Sequence, residues 1–203
     1  FAEQLLGLLD AGGLPRAAVV GFSLGGMIAR RAAMAAPDRI RALAILNSPH
    51  TRTAEDQAAI EARVARARAE GPGASVEPAL ARWFTPAFRE AAPETMARVR
   101  RWLRANDPAS YAANYEVLAH GVAAVVAPDP PIRCPALVMA AEHDPGQGPE
   151  MARAIAAEIP GAELAILPGL RHMALAEAPD SVTTPLMRFL ERALLPAAEA
   201  RDG

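Results

Sequence analysis

The stretch AAVVGFSLGGMIARRAAMAAP, Ala17 to Pro37, limits what this chain can fold into more than any other. A short apolar run containing Val19 and Val20 suits a buried strand, and the alanines, methionines and arginines that follow Gly26 suit a helix. Between them stands Gly21-Phe22-Ser23-Leu24-Gly25, a G-x-S-x-G pattern on a strand-to-helix turn. Small residues at Gly21 and Gly25 let the backbone pass close to its neighbours, with Gly26 relieving crowding further. The turn also has a chemical use: it projects Ser23 in a strained conformation and aims the Leu24 N–H at the place where a carbonyl oxygen becomes negative.

The rest of the chain repeats the strand-then-helix alternation, the pattern of parallel strands joined by crossover helices. The opening FAEQLLGLLDAGG reads as a helix ending at Gly12-Gly13, and the helix after Ser23 runs to about Ala36 before Pro37 stops it. Ala42 to Leu46, Ala136 to Ala140 and Glu163 to Leu167 are further strands, with helices over Pro149 to Ile159 and Ser181 to Leu195, the last containing Pro185. Their unbroken apolar character predicts helices on both faces of the sheet. From Pro49 to Pro131 the period changes to helical, with four helices marked by Ile60 and Val64, by Leu80, Trp83, Phe84 and Ala87, by Met96, Val99 and Leu103, and by Tyr111, Tyr115 and Leu118. Asp107 before Pro108 is an N-cap with proline at the first helical position. The alanine-rich tail after Pro196 is expected to fray.

With 203 residues, 52% of them hydrophobic, the chain has enough apolar surface for one sizeable core. A formal net charge of -2 with interspersed signs gives no basic stripe for nucleic acid and no polybasic membrane patch, so a small, uncharged or weakly charged molecule is the expected partner. The single cysteine, Cys134, fits a reducing compartment such as the cytoplasm and reads as a small core residue. Neither it nor the four histidines has metal-ligand spacing, and no metal or organic cofactor is expected. No run has the length and apolarity of a membrane span. The chain opens on Phe1 in mid-helix, which predicts residues upstream.

A serine needs a base, and His172 in LPGLRHMALAEAP follows the fourth strand, at the carboxyl edge of the sheet that also carries Ser23. His143 adjoins the third strand, while His50 and His120 lie at the margins of the helical region. Asp144 in AAEHDPGQGPE is the acid expected to orient His172, in the chain order Ser, Asp, His; Glu142 is the fallback.

The blocks GFSLGG, AEHDPGQGPEMARAIAAEIPGAEL and LPGLRHMALAEAPDSV resemble the matching blocks of α/β-hydrolase-fold enzymes. The segment RWFTPAFREAAPETMARVRRWLRANDPASYAANYEVLAHG resembles the cap of 3-oxoadipate enol-lactonase-like hydrolases. The resemblance implies an α/β fold, a parallel sheet with flanking helices and an inserted helical cap. It divides the chain into hydrolase core over 1–49, cap over 50–131 and core over 132–203. It also implies that the N-terminal part of the fold, with several strands and the loop giving a second oxyanion N–H, is absent from this chain. The nucleophile strand is then expected to lack a central neighbour.

Bulky aromatics concentrate in the helical region, and Trp83, Phe84, Trp102 and Tyr111, with Phe22 beside the nucleophile, are candidates for the substrate pocket; Phe88 and Tyr115 accompany them. Arg98, Arg100, Arg101 and Arg104 are placed to attract a carboxylate, as the lactonase resemblance implies, although Glu90, Glu94 and Asp107 among them fit a solvated face. The reading is a serine hydrolase of a carboxylic ester or lactone. A carbon–carbon bond hydrolase and a perhydrolase use the same triad, and a non-catalytic binding protein is the alternative from another class. A dehalogenase needs a carboxylate where Ser23 stands.

Overall fold

The computed structural model describes residues 1–195, and the tail after Pro196 lies outside them. The chain begins with α1 (Ala2–Ala11), ended by Gly12, and then β1 (Ala17–Phe22), α2 (Leu24–Ala35) and β2 (Ile40–Leu46). Five helices follow: α3 (Ala54–Glu70), α4 (Val76–Trp83), α5 (Pro86–Ala91), α6 (Pro93–Arg104) and α7 (Pro108–His120). The chain returns to the sheet with β3 (Ala136–Ala141), α8 (Pro149–Ala157) and β4 (Glu163–Leu167), and closes with the short α9 (Ala174–Glu177) and α10 (Pro179–Leu194).

All pairings are parallel, in the order β1-β2-β3-β4. Alternate side chains of each strand enter opposite layers. Leu43, Ile45, Val138 and Ala140 pack against α2 and α8, while Ala44, Leu46, Met139 and Leu167 pack against α10 through Val182 and Phe189. Helices thus cover both faces, as the apolar strands require. Each of Leu43 and Ile45 is fully buried, a contribution of about 1.5–3 kcal/mol per side chain. Among the described residues β1 pairs only with β2, and Val20 on this edge is 46% exposed.

The helical region has its own core of Val76, Leu80, Phe84, Met96, Val99 and Tyr111. The helix expected through Leu80 and Ala87 is two helices. Pro86 has no N–H to continue α4, and Thr85 caps α5 by accepting from the Phe88 N–H. Asp107 caps α7 as its spacing predicts, accepting from the Ser110 N–H at 2.8 Å. The last helix begins two residues earlier than expected, at Pro179, and continues through Pro185.

The register explains the position of the chemistry. Phe22 lies beside Leu46, Leu46 beside Met139 and Ala141 beside Leu167, so the carboxyl ends of the four strands form one edge. The next residues out are Ser23, Asn47, the turn reaching Asp144, and the loop holding His172.

Candidate active site

Ser23 is the residue between β1 and α2, with φ 55° and ψ -118°, a region that non-glycine residues avoid at a cost of about 1–3 kcal/mol. Its N–H donates to Leu46 O at 2.8 Å, which ties the turn to the end of β2. A Cβ on Gly21 would meet Gly25 O at 2.3 Å and Gly26 Cα at 2.7 Å, so only glycine fits there. The second close approach is at Gly26, whose added Cβ would lie 2.5 Å from Ser48 Cβ. Gly25, expected to be the other tight position, has open space around it among the described residues. Leu24 opens α2, where the first N–H groups have no partner within the helix.

Asp144 and His172 meet directly. His172 Nδ1 lies 2.6 Å from Asp144 Oδ2, with side chains 8% and 2% exposed. The other carboxylate oxygen, Oδ1, accepts from the Gly146 and Gln147 N–H groups at 3.0 and 3.1 Å. Burial pushes the Asp144 carboxyl up, but the His172 hydrogen bond and charge, then Gly146 and Asn47, outweigh it and hold it below the ordinary carboxylate range. Glu142, the fallback, turns outward to accept from the Gly169 N–H. Of the other histidines, His50 pairs with Glu158, and His120 and His143 are exposed beside Glu116 and Glu142.

Asn47, the first residue after β2, is a site residue that sequence reasoning misses. It is buried, stands at φ 44°, and donates Nδ2 to Asp144 Oδ2 at 2.8 Å, the oxygen that also receives His172. The only sequence signal is its position immediately after the strand next to the nucleophile strand. Buried Arg30 holds the same loop by donating to Pro49 O; burial pushes this guanidinium down to about 10.

Ser23, Asp144 and His172 all line one cavity of about 160 Å³ between the sheet edge and the helical region. The remaining wall comes from Arg52, Arg63, Arg82, Trp83, Tyr115 and neighbouring residues. Phe22 packs on the His172 ring with centroids 4.8 Å apart, and Trp83 approaches the same ring at 6.2 Å.

The model of the alpha/beta hydrolase family matches residues 1–183. The chain belongs to this family. It is 30% identical over 174 residues to the (E)-2-((N-methylformamido)methylene)succinate hydrolase of Acinetobacter baylyi, covering 85% of this chain and 64% of that protein. It is 32% identical over 146 residues to 3-oxoadipate enol-lactonase 2 of the same organism, covering 71% of this chain and 53% of that one. The chain therefore spans less than two thirds of these two relatives. The crystal structure of the enol-lactonase from Burkholderia xenovorans LB400 superposes with a TM-score of 0.84 at 30% identity, over 93% of this chain and 71% of that one.

Within this alpha/beta hydrolase, the aromatic candidates separate. Trp83 lines the cavity and Phe22 backs the histidine, but three others do not reach it. Phe84 is fully buried and stacked on Phe88, because consecutive residues of a helix end face different sides. Tyr111 is enclosed in the helical core, where its neighbour Tyr115 takes the cavity side. Trp102 is 58% exposed under Arg98. The expected arginines also lie elsewhere: Arg100 pairs with Glu77, and Arg100, Arg101 and Arg104 share an outer surface of α6. The arginines that do face the nucleophile, Arg52, Arg63 and Arg82, were missed, since helical spacing alone does not tell which charged face a cavity will adjoin.

Proposed function

We propose that the protein is a serine hydrolase that cleaves a carboxylic ester or lactone of a small molecule. The observation that carries this reading is the buried His172–Asp144 pair, at 2.6 Å, sharing a cavity with a serine held on a strained turn. With Nδ1 engaged by Asp144, the other ring nitrogen, Nε2, is the one that takes the Ser23 proton as Oγ attacks the carbonyl. Asp144 fixes the tautomer and stabilises the imidazolium that forms. The Leu24 N–H supplies one donor to the oxyanion. His172 then returns the proton to the leaving oxygen, and water, activated by the same ring, hydrolyses the acyl-enzyme. The helices between β2 and β3 act as the cap, with Trp83 as roof and Phe22 and Trp83 holding the imidazole from two sides. The likeness to proteins named as lactonase and hydrolase supports the same assignment.

The test is turnover of a panel of esters and enol lactones. Ser23→Ala and His172→Ala should each lower kcat/KM by about 10⁴-fold or more while leaving the far-ultraviolet circular dichroism unchanged. Retention of full turnover by a folded Ser23→Ala protein would remove the reading.

A further inference from the structure

The charge around the cavity is lopsided. Three arginines line it, and each carboxylate present already has partners. Asp144 is held by His172 and Asn47, and Asp56 accepts from the Thr53 hydroxyl at 2.8 Å at the start of α3. Arg52 is also engaged, donating Nη1 and Nη2 to the Ala119 and Leu118 carbonyls at 3.2 and 2.9 Å. Arg63 on α3 and Arg82 on α4 differ. Among the described residues the ion-paired arginines are Arg39, Arg66, Arg68, Arg100 and Arg192, and neither Arg63 nor Arg82 makes an ion pair or a hydrogen bond.

Both side chains are half-buried. Burial, and then the charge of Arg82, lower the Arg63 guanidinium, and Tyr115 and Asp56 compensate only in part. Two like charges brought together in a partly desolvated space oppose folding, and an anion between them would reverse the sign of that interaction. Guanidinium forks match the two oxygens of a carboxylate.

The segment carrying Arg82 is tied to the loop carrying His172. Trp83 O accepts from the Met173 N–H at 2.9 Å, and Arg171 donates to Ala81 O, so the residues on both sides of Arg82 are tied to those on both sides of His172. A substrate gripped at Arg82 is thereby set at a constant reach from the imidazole.

We propose that Arg63 and Arg82 form an anion subsite that receives a carboxylate carried by the substrate, so that the cavity selects carboxylate-bearing esters or lactones. This rests on the hydrolase reading above, and the test separates the two. The p-nitrophenyl monoester of glutaric acid and p-nitrophenyl pentanoate have acyl chains of the same length ending in a carboxylate or a methyl group. The full chain should hydrolyse the first with kcat/KM at least about 10-fold higher at low ionic strength, and the ratio should fall as salt is added. In Arg63→Met and Arg82→Met proteins the ratio should fall towards one. Glutarate binding to Ser23→Ala, followed by calorimetry, should weaken by about 10-fold or more when Arg82→Met is added. Good turnover of both esters by the unaltered protein with a salt-independent ratio near one would overturn the subsite and leave the hydrolase standing. Absence of turnover with arginine-dependent glutarate binding would remove the hydrolase reading and keep the subsite.

Discussion

The sheet edge and the helical region that faces it contribute to the same cavity in opposite ways. At the sheet edge four parallel strands end in register, and each delivers one polar side chain: Ser23, Asn47, Asp144 and His172. Every one is held by at least one strand, tight turn or buried hydrogen bond, so their positions are over-determined. The helical region supplies Arg63, Arg82, Trp83 and Tyr115 from three different helices packed around a separate small core. Rigid chemistry thus faces an assembled wall. On the proposed reading the reaction would reside in the fixed strand ends and the choice of substrate in the helix faces.

The largest effect is expected at Gly21. Alanine there forces its Cβ into Gly25 O, and Gly21→Ala should lose about 3 kcal/mol in urea unfolding together with its hydrolytic activity. Gly25→Ala meets nothing among the described residues and should change stability by less than about 1 kcal/mol. Equal losses for the two would show that the turn is not built as described.

An intermediate effect is expected at Asn47. Asn47→Gly keeps the positive φ accessible while removing one donor from Asp144, and should lower kcat/KM by about 10-fold. It also changes acid stability in a defined direction. The folded Asp144 carboxyl lies below its unfolded value, so its contribution is complete above the ordinary carboxyl range and is lost as pH falls through the lowered folded value. In Asn47→Gly the folded value moves back towards the unfolded one, so the loss should be smaller and should end at a higher pH, as read from thermal melts between neutral and acid pH. Coincident profiles for the two proteins would remove Asn47 from the site.

The smallest effect sharpens the contrast within the helical wall. Trp83→Ala should reduce kcat/KM by about fivefold through loss of the roof over His172, whereas Trp102→Ala, on the outer surface, should change it by less than about twofold. Equal effects in steady-state kinetics with any hydrolysed ester would contradict the assignment of cavity and outer faces.

The same contrast explains what the sequence made legible. Parallel strands were readable because buried strands are continuous apolar runs, and Ser23, Asp144 and His172 because a short turn after a strand leaves little freedom in where a side chain stands. Asn47 was not legible as a site residue, since a left-handed asparagine in a turn and one donating to a buried acid have the same sequence signature. Gly25 belongs to the motif yet has no close contact here, whereas Gly26, outside the motif, carries one. In the helical region, periodicity marked a helix by Met96, Val99 and Leu103, and all three are buried. It did not separate Trp83 from Phe84 or Tyr115 from Tyr111, because an inserted helical layer has two apolar sides, one towards its own core and one towards the cavity. The spacing of Leu80 and Ala87 suggested one helix, but a capping threonine followed by proline, Thr85-Pro86, ends one helix and starts the next.

That Ser23 is an activated nucleophile is tested by intact mass after incubation with a fluorophosphonate, followed by peptide mapping. One stoichiometric adduct on Ser23, lost in His172→Ala, is the expected result. A folded protein that gains no adduct, or gains one elsewhere that survives His172→Ala, would contradict the claim.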